Sequence, residues 1–312
     1  MGVISEIFGY VLNLLYNFLN NYGIAIIIFS VLLRLILIPI TIKQQKTMKK
    51  TAKMQEKMKE IQNKYKNNPE KLNQETIELY KKEKMSPFSG CLSAILQLII
   101  ILSVFWLVSQ PLTYMKKVDK QVLENYKTQI QEENNGNKST YPEINIISKI
   151  EDEYKELNEK LANENIENRE ELENKKSELE KMRINMNFLG LDLSKVPTQS
   201  LNDWKVYIIP VLYVITSFIS IKITTNSQKK ATTKKDIIIN NENGDGKEPE
   251  MLDSMQQMNN TMLYMMPIMS ISIAIIAPLG LALYWLISNI LIIIERLVID
   301  KFINSKEDEN NV

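Results

Sequence analysis

Residues 24–42, IAIIIFSVLLRLILIPITI, form an almost continuous apolar run that contains one arginine, Arg34. A run of this length approaches the roughly 20 residues that a helix needs to cross a hydrocarbon core of about 30 Å. At a rise of about 1.5 Å per residue, Arg34 lies roughly 12–15 Å from either end. Its guanidinium cannot lose its charge, and burying it in lipid costs about 2.5–3.5 kcal/mol on insertion scales. The chain must therefore provide polar surroundings beside this helix.

Four more apolar stretches make this a predicted all-α polytopic membrane protein with five transmembrane helices. They lie near 88–109, 206–221, 262–277 and 281–294. A single helix over 267–294 would be about 42 Å long, too long for one comfortable span. Pro278 offers a turn within that region, so we divide it into two spans.

The N-terminal residues and the loop charges predict how the chain lies in the membrane. Residues 3–20 repeat apolar side chains at helical spacing and lack the basic front end of a removable signal, which indicates an amphipathic helix in the interface. Residues 43–86 hold thirteen lysines and six acids, whereas 112–203 hold fourteen basic and nineteen acidic residues. The positive-inside rule then places 43–86 in the cytoplasm, the N-terminus outside and the C-terminus in the cytoplasm.

The polar segments between the spans have their own predicted structure. Residues 43–86 fit a helical hairpin with its turn at 67–69, and its lysines are either a solvated face or a contact for anionic lipid or the ribosome. Residues 112–203 fit a coiled-coil-like hairpin, and 225–248 a flexible linker. The predicted division is a 1–21 interfacial helix, first span 22–42, hairpin 43–86, second span 87–110, extracytoplasmic segment 111–203, third span 204–222, cytoplasmic loop 223–261 with a Met-rich helix, fourth span 262–278, fifth span 280–299 and cytoplasmic tail 300–312.

Polar side chains in the spans predict what surrounds Arg34. Ser30 lies one turn before it on the same helix face. No carboxylate is expected deep in the membrane, because Glu295 falls nearer the cytoplasmic edge. An unpaired arginine among neutral groups favours a hydrated groove; a structural arginine bonded to backbone carbonyls and Gln97 is the alternative. The candidate groove residues are Arg34, Ser30, Gln97, Ser93, Asn289 and Ser288.

A methionine stripe is a second candidate contact surface. Met251, Met255, Met258 and Met262 recur at spacings of four, three and four. Methionine is flexible and suits varied apolar partners. Met255, Met258 and Met262 are therefore candidate client contacts, and an ordinary packing stripe is the alternative.

Composition excludes several classes of chemistry. The chain has no histidine, which excludes histidine acid–base catalysis, histidine metal sites and serine–histidine triads. A single cysteine, Cys91, excludes an intramolecular disulfide. We assign no catalytic residue and no metal ligand.

An ordered set of motifs across the spans resembles the YidC family of membrane-protein insertases, within the Oxa/YidC superfamily. The similarity covers most of the chain except 112–187. The motifs are Tyr22-Gly23, Leu32-Leu33-Arg34-Leu35 with Pro39, Leu79-Tyr80-Lys81-Lys82, Pro87-Phe88-Ser89-Gly90-Cys91-Leu92 with Gln97, Phe188-Leu189-Gly190-Leu191-Asp192-Leu193, Met266-Pro267, and Gly280-Leu281-Ala282-Leu283-Tyr284-Trp285 with Ser288-Asn289.

The resemblance implies a function for the polar spans. It implies an insertase core of five spans in a bacterial plasma membrane, with a groove open to the cytoplasm and to lipid. Arg34 matches the groove arginine, which draws polar flanks of a client part-way into the bilayer. Such a protein is not an enzyme and needs no cofactor. Nascent membrane proteins and lipids are the implied partners, with the ribosome and the Sec translocon as further candidates and no sequence-specific nucleic acid.

Two other functions are compatible with the residues alone. An ion or small-solute channel or transporter would use the same polar membrane residues, although such transporters usually have internal repeats and none is evident here. A membrane scaffold without insertion activity would use the two coiled-coil-like segments.

Overall fold

The computed structural model describes residues 2–65, 68–83, 89–162, 168–232 and 272–309. It is helical almost throughout, with one two-stranded hairpin in the described chain. The elements are α1 (Gly2–Leu19), α2 (Tyr22–Lys64), α3 (Pro69–Lys82), α4 (Ser89–Ser109), α5 (Pro111–Tyr114), α6 (Lys120–Glu133), α7 (Pro142–Leu161), α8 (Arg169–Met182), β1 (Asn187–Phe188), β2 (Leu191–Asp192), 3₁₀ turns Pro197–Gln199 and Trp204–Tyr207, α9 (Ile208–Thr232) and α10 (Leu279–Glu309).

Four of the described helical segments are long and apolar enough to cross a membrane, namely Gly2–Leu19, Tyr22–Thr47, Trp204–Ile223 and Leu279–Ile299. Three of them coincide with the predicted spans at 22–42, 204–222 and 280–299. A shorter apolar helix, Leu98–Ser109, lies within the predicted span 87–110. Most of the predicted span 262–278 lies outside the described residues. The protein is thus a multi-pass helical membrane protein, and the number of five spans stays a prediction.

Two boundaries differ from the sequence-based division. We expected the first span to end at 42 and a separate helix to follow, but α2 runs without a break from Tyr22 to Lys64 with Pro39 inside it. The residues after Ile42 are good helix formers, so nothing stops the helix at the membrane edge. Likewise α9 extends to Thr232, into the linker predicted at 225–248, whose remainder lies outside the described residues.

The chain divides into two compact units, which are described separately. The first comprises 1–33, 99–213 and 271–288, and the second comprises 34–98, 214–270 and 289–312.

In the first unit, α1 packs one narrow face against α4 and α5. Its buried residues are Ser5, Gly9, Leu12 and Tyr16, at spacings of four, three and four. The Ser5 hydroxyl donates to the Ser103 carbonyl at 3.0 Å. The opposite face exposes the large apolar side chains of Ile7, Tyr10, Leu14 and Phe18. This is the arrangement of a helix in contact with lipid, and the position of α1 in the membrane interface stays a prediction.

The strand hairpin connects helix ends within the first unit. Leu189 and Gly190 form its turn with positive φ angles of 51° and 77°. Just before β1, the Asn185 carbonyl accepts from the Tyr22 amide at 3.1 Å. Just after β2, the Leu193 carbonyl accepts from the Gly280 amide at 2.9 Å. Amides at the starts of α2 and α10, which have no partner within their own helices, are thereby satisfied.

The 112–203 segment contains three longer helices, α6, α7 and α8, and the short coiled-coil-like hairpin expected within it stays a prediction. Helix α7 packs against both α6 and α8, with Ile147, Ile150 and Leu157 among its buried side chains. These three belong to the apolar repeat in the sequence. At the end of α8, Arg183 forms a two-pronged ion pair with Glu151, at 2.9 and 3.1 Å.

A buried carboxylate joins α5 to α7. Glu143 is 2% exposed, and it accepts hydrogen bonds from the Thr113 amide at 3.0 Å and from the Thr113 hydroxyl. Burial raises the pKa of Glu143 above its usual range, and the bonds from Thr113 offset this only in part. The folded protein therefore binds this proton at a higher pH than the unfolded chain does.

In the second unit, side-chain contacts join the C-terminal part of α2 to α3, and the hairpin expected over 43–86 stays a prediction. Asn68 caps α3 by accepting from the Lys71 amide, with Pro69 at the first helical position. The Tyr65 hydroxyl donates to Glu75 at 3.0 Å, and Lys57 pairs with Glu83 at 2.5 Å. Among the lysines whose side chains the structure describes here, Lys57 takes part in the contact between α2 and α3.

We predict that Gly9→Ala destabilises the protein. A Cβ at position 9 would collide with the Tyr114 carbonyl, and backbone cannot move aside as a flexible side chain can. Overpacking of this kind costs about 1–3 kcal/mol, measurable as a lower unfolding temperature in detergent. Gly2→Ala is the matched control, because nothing lies within 4 Å of a Cβ there. Equal unfolding temperatures for both variants would contradict the packing of α1 on α5.

We also predict a pH effect from Glu143. Because its pKa is raised in the folded state, the free energy of unfolding should increase as the pH falls from 7 toward the usual carboxyl range. The comparison is with Glu143→Gln, which cannot titrate. Thermal unfolding of both proteins at several pH values should show the wild type gaining stability relative to the variant on acidification. A relative loss would show that the ionised form is the one favoured by folding.

Candidate functional site

Arg34 forms an ion pair with Glu295 in the second unit. The Arg34 Nε lies 2.8 Å from the Glu295 Oε2. Both side chains are largely enclosed, 17% exposed for the arginine and 7% for the carboxylate. The pair links α2 to α10, two helices that are each apolar enough to span a membrane.

This pair corrects the prediction that Arg34 lacks a carboxylate. From the sequence we expected Glu295 to lie nearer the cytoplasmic edge, away from Arg34. It lies sixteen residues after Leu279, so it is about 24 Å along α10, while Arg34 is about 18 Å along α2 from Tyr22. An arginine side chain spans that difference readily. The charge of Arg34 is therefore compensated by protein, and it does not by itself require a water-filled groove.

Local burial on the two helices explains why these side chains meet. On α2, the residues next to Arg34, Leu35 and Ile36, are exposed. On α10, Glu295 and Ile299 are buried one turn apart, whereas Leu297 and Val298 are exposed. Exposed apolar residues suit lipid, so each helix turns its charged residue toward the protein. Burial of both charges together is less costly than burial of either one alone.

The pair is close but poorly aligned for hydrogen bonding. Within the described chain, neither oxygen of Glu295 accepts a hydrogen bond of good geometry. The interaction with Arg34 is thus mainly electrostatic. A carboxylate with unused acceptor capacity in a buried position is a group that water or another donor can join.

Gln45 extends the polar face of α2, and sequence reasoning missed it. Its side-chain nitrogen and oxygen are both shielded, yet neither makes a hydrogen bond to the residues that the structure describes. Gln45 follows Arg34 by eleven residues, which is three helical turns, so it lies on the same helix face. The spacing of Arg34, Thr41 and Gln45 could have revealed it in the sequence. Buried amides without partners are usually satisfied by water.

A neutral polar cluster connects α9 and α10 in the same unit. The Asn289 side-chain amide donates to the Thr216 hydroxyl at 3.2 Å and to the Ser217 hydroxyl at 3.1 Å. Ser217 is buried, and the other two are half-buried. Asn289 was a predicted groove residue, and its partners show that its amide also holds two helices together.

The other predicted site residues have different environments. Ser30 belongs to the first unit, is 3% exposed, and donates to the Ile26 carbonyl at 2.7 Å. Ser288 is half-buried in that unit. Ser93 and Gln97 lie in α4, but their side chains are outside the description. Met255, Met258 and Met262 lie outside the described residues. Among the residues described, no cluster of acidic, histidine or cysteine side chains is suited to a metal ion.

Comparisons with known proteins show which membrane protein family the chain resembles. A family model described as 60Kd inner membrane protein matches residues 14–307. Relatives named membrane protein insertase YidC include one from Caldanaerobacter subterraneus subsp. tengcongensis, 40% identical over 105 residues, and one from Fusobacterium nucleatum, 36% identical over 104 residues. These alignments cover 34% and 33% of this chain and 51% of each relative. The chain thus spans about half the length of these curated relatives.

A protein from Cupriavidus necator, also named membrane protein insertase YidC, is 35% identical over 108 residues, covering 35% of this chain and 20% of the relative.

We predict that Arg34 and Glu295 are energetically coupled. Removing one partner leaves an uncompensated buried charge, which costs about 3–5 kcal/mol, whereas removing both leaves none. Arg34→Gln and Glu295→Gln should each lower the unfolding temperature in detergent, and the double variant should lose much less than the two losses added together. Additive losses would mean that the two charges do not interact in the folded protein.

Proposed function

The chain belongs to the 60 kDa inner membrane protein family, and from this premise we propose that it is a membrane-protein insertase. Its clients would be nascent membrane proteins with one or a few spans. It would draw the polar flank of a client segment into a hydrated groove and release the apolar helix into lipid. The observation that carries the proposal is a charged group, Arg34, held within a membrane-spanning helix by a partner on another span.

Two polar groups near Arg34, apart from its own charge, support the proposal that water lies beside it. The Gln45 amide, on the same face of α2, lies shielded without a partner in the described chain. The unused acceptor positions of Glu295 need donors as well. Water supplies both kinds of bond. We propose that the groove contains this water and that it opens to the cytoplasm, where the lysine-rich 43–86 hairpin would lie.

The proposed reaction requires no cofactor. The barrier to insertion is the transfer of a client's polar flank through the hydrocarbon core, where a charge is costly. Water and Arg34 would lower that barrier by solvating the flank part-way across. The free energy for the whole process would come from burial of the client's apolar helix in lipid, about 25 cal/mol per Å² of apolar surface. The exposed apolar residues Leu35 and Ile36 beside Arg34 would let the client helix move directly into lipid.

A complementation assay tests this function. Cells depleted of their own insertase receive this protein, and insertion of single-span clients with acidic external tails is followed by protease accessibility. Restored insertion supports the proposal, and continued failure of insertion by an expressed, membrane-integrated protein contradicts it.

Site-specific photocrosslinking to a stalled client separates an insertase from a scaffold. An insertase should crosslink from positions in the spans, such as Gln97 and Asn289. Crosslinks confined to the 43–86 hairpin or to α6–α8 would indicate a scaffold without insertion activity.

A conductance measurement tests the channel alternative. Ion conductance of the purified protein in liposomes, abolished by Arg34→Ala, would indicate a channel instead of an insertase.

In the complementation assay we predict that Arg34→Lys retains more insertion activity than Arg34→Ala. Lysine keeps a positive charge near Glu295, although it lacks the planar fork of arginine. Because Arg34→Ala also leaves the Glu295 carboxylate uncompensated, the control is the double variant with Arg34→Ala and Glu295→Ala, compared at equal protein level. Activity should fall in that double variant as well. Full activity in the double variant would show that the positive charge is not required.

A further inference from the structure

We propose that Glu295 is a specificity-determining residue that competes with acidic client segments for Arg34. This inference rests on the proposed insertase function and deepens it. The proposal is based on the ion pair. The Arg34 guanidinium, to which a client carboxylate would bind, already contacts the Glu295 carboxylate at 2.8 Å. Glu295 thus acts as an internal counter-ion with the chemistry of an acidic client.

Competition follows from the geometry of the pair. A guanidinium binds a carboxylate best through two parallel hydrogen bonds, whereas the Arg34–Glu295 contact is close but not aligned. An incoming carboxylate with better alignment can therefore replace Glu295. The replacement has a cost, because Glu295 would lose its partner while still 7% exposed. The apparent affinity for an acidic flank is lowered by this exchange.

Differential exposure makes Arg34 the member of the pair that a client reaches. The arginine side chain is 17% exposed and the carboxylate 7%. Leu35 and Ile36, next to Arg34, lie on the exposed surface, so a client helix passing there comes close to the guanidinium. Glu295 lies on the buried face of α10 with Ile299. A client approaching from this surface meets Arg34 before Glu295.

The pair also predicts which clients are favoured. With both charges present, the local field is close to neutral, so a client gains little from carrying an acidic flank. A basic flank can be tolerated, because Glu295 offers it a carboxylate. The chain should therefore discriminate weakly between flanks of opposite charge. Removal of the carboxylate should convert the site into one that prefers acidic flanks.

The test uses purified full-length protein in liposomes and three clients. Each client has one apolar span and the same short external tail, carrying three glutamates, three glutamines or three lysines, and protease protection measures insertion. The quantity compared is the ratio of acidic-tail to neutral-tail insertion, which cancels differences in the amount of folded protein. Glu295→Gln should raise this ratio by at least about threefold, because an ion pair exchanged for a neutral contact changes affinity by that order.

Two further variants make the test specific. Glu295→Asp keeps the carboxylate and should stay near the wild-type ratio. The double variant Arg34→Gln with Glu295→Gln removes both charges, and its ratio should not exceed that of the wild type. The rise in Glu295→Gln must therefore depend on Arg34. Thermal unfolding of each variant in detergent shows whether it is folded before its ratio is interpreted.

The outcomes separate this inference from the insertase function. An acidic-to-neutral ratio unchanged in Glu295→Gln would overturn the competition, while neutral-tail insertion by the wild type would leave the insertase function intact. A proportional loss of acidic and neutral insertion would also overturn it, because the pair would then be only a structural link between α2 and α10. If the wild type inserts none of the three clients above protein-free liposomes, the proposed function fails and the competition fails with it.

Discussion

A permanent charge inside an apolar helix is the constraint on which the second unit of this protein depends. Arg34 cannot deprotonate, so it must be compensated wherever α2 lies in the bilayer. Glu295 provides that compensation from α10. The two helices expose apolar residues beside the pair, so the charges face protein while the outer surface suits lipid. The ion pair therefore fixes which side of each helix faces protein and which side faces lipid.

The first unit meets a different constraint, which is the satisfaction of helix ends outside the apolar spans. The carbonyls of Asn185 and Leu193, on either side of the strand hairpin, accept hydrogen bonds from amides at the starts of α2 and α10. The buried carboxylate of Glu143 serves the same purpose for the Thr113 amide within α5. These bonds hold the helix ends together beside an apolar core that includes Leu12, Tyr22 and Leu281. Helix α7 packs against α6 and α8, and its buried isoleucines add apolar contacts to this unit.

A compensated arginine changes the physical account of an insertase site. If the charge were unpaired, water would be obligatory, and the site would attract acidic flanks strongly. In the proposed insertase, where the charge is paired, attraction would depend on exchange between two carboxylates, one from the chain and one from the client. A small difference in alignment or hydration then decides which carboxylate Arg34 binds. Such a site would release a client as well as bind it, as the proposed insertase function requires.

The sequence by itself determined the helical membrane class, three of the candidate spans and the start of α3 at Asn68 and Pro69. These features follow from local composition, helix period and capping chemistry, which act over a few residues. Only the tertiary structure decided that Arg34 pairs with Glu295, that α2 continues past Ile42, and that Gln45 is shielded without a partner in the described chain. The pairing joins residues separated by most of the chain, and no local pattern specifies which helices are neighbours. Depth along each helix was also misjudged for Glu295, because the reach of the arginine side chain matters as much as the position of its backbone.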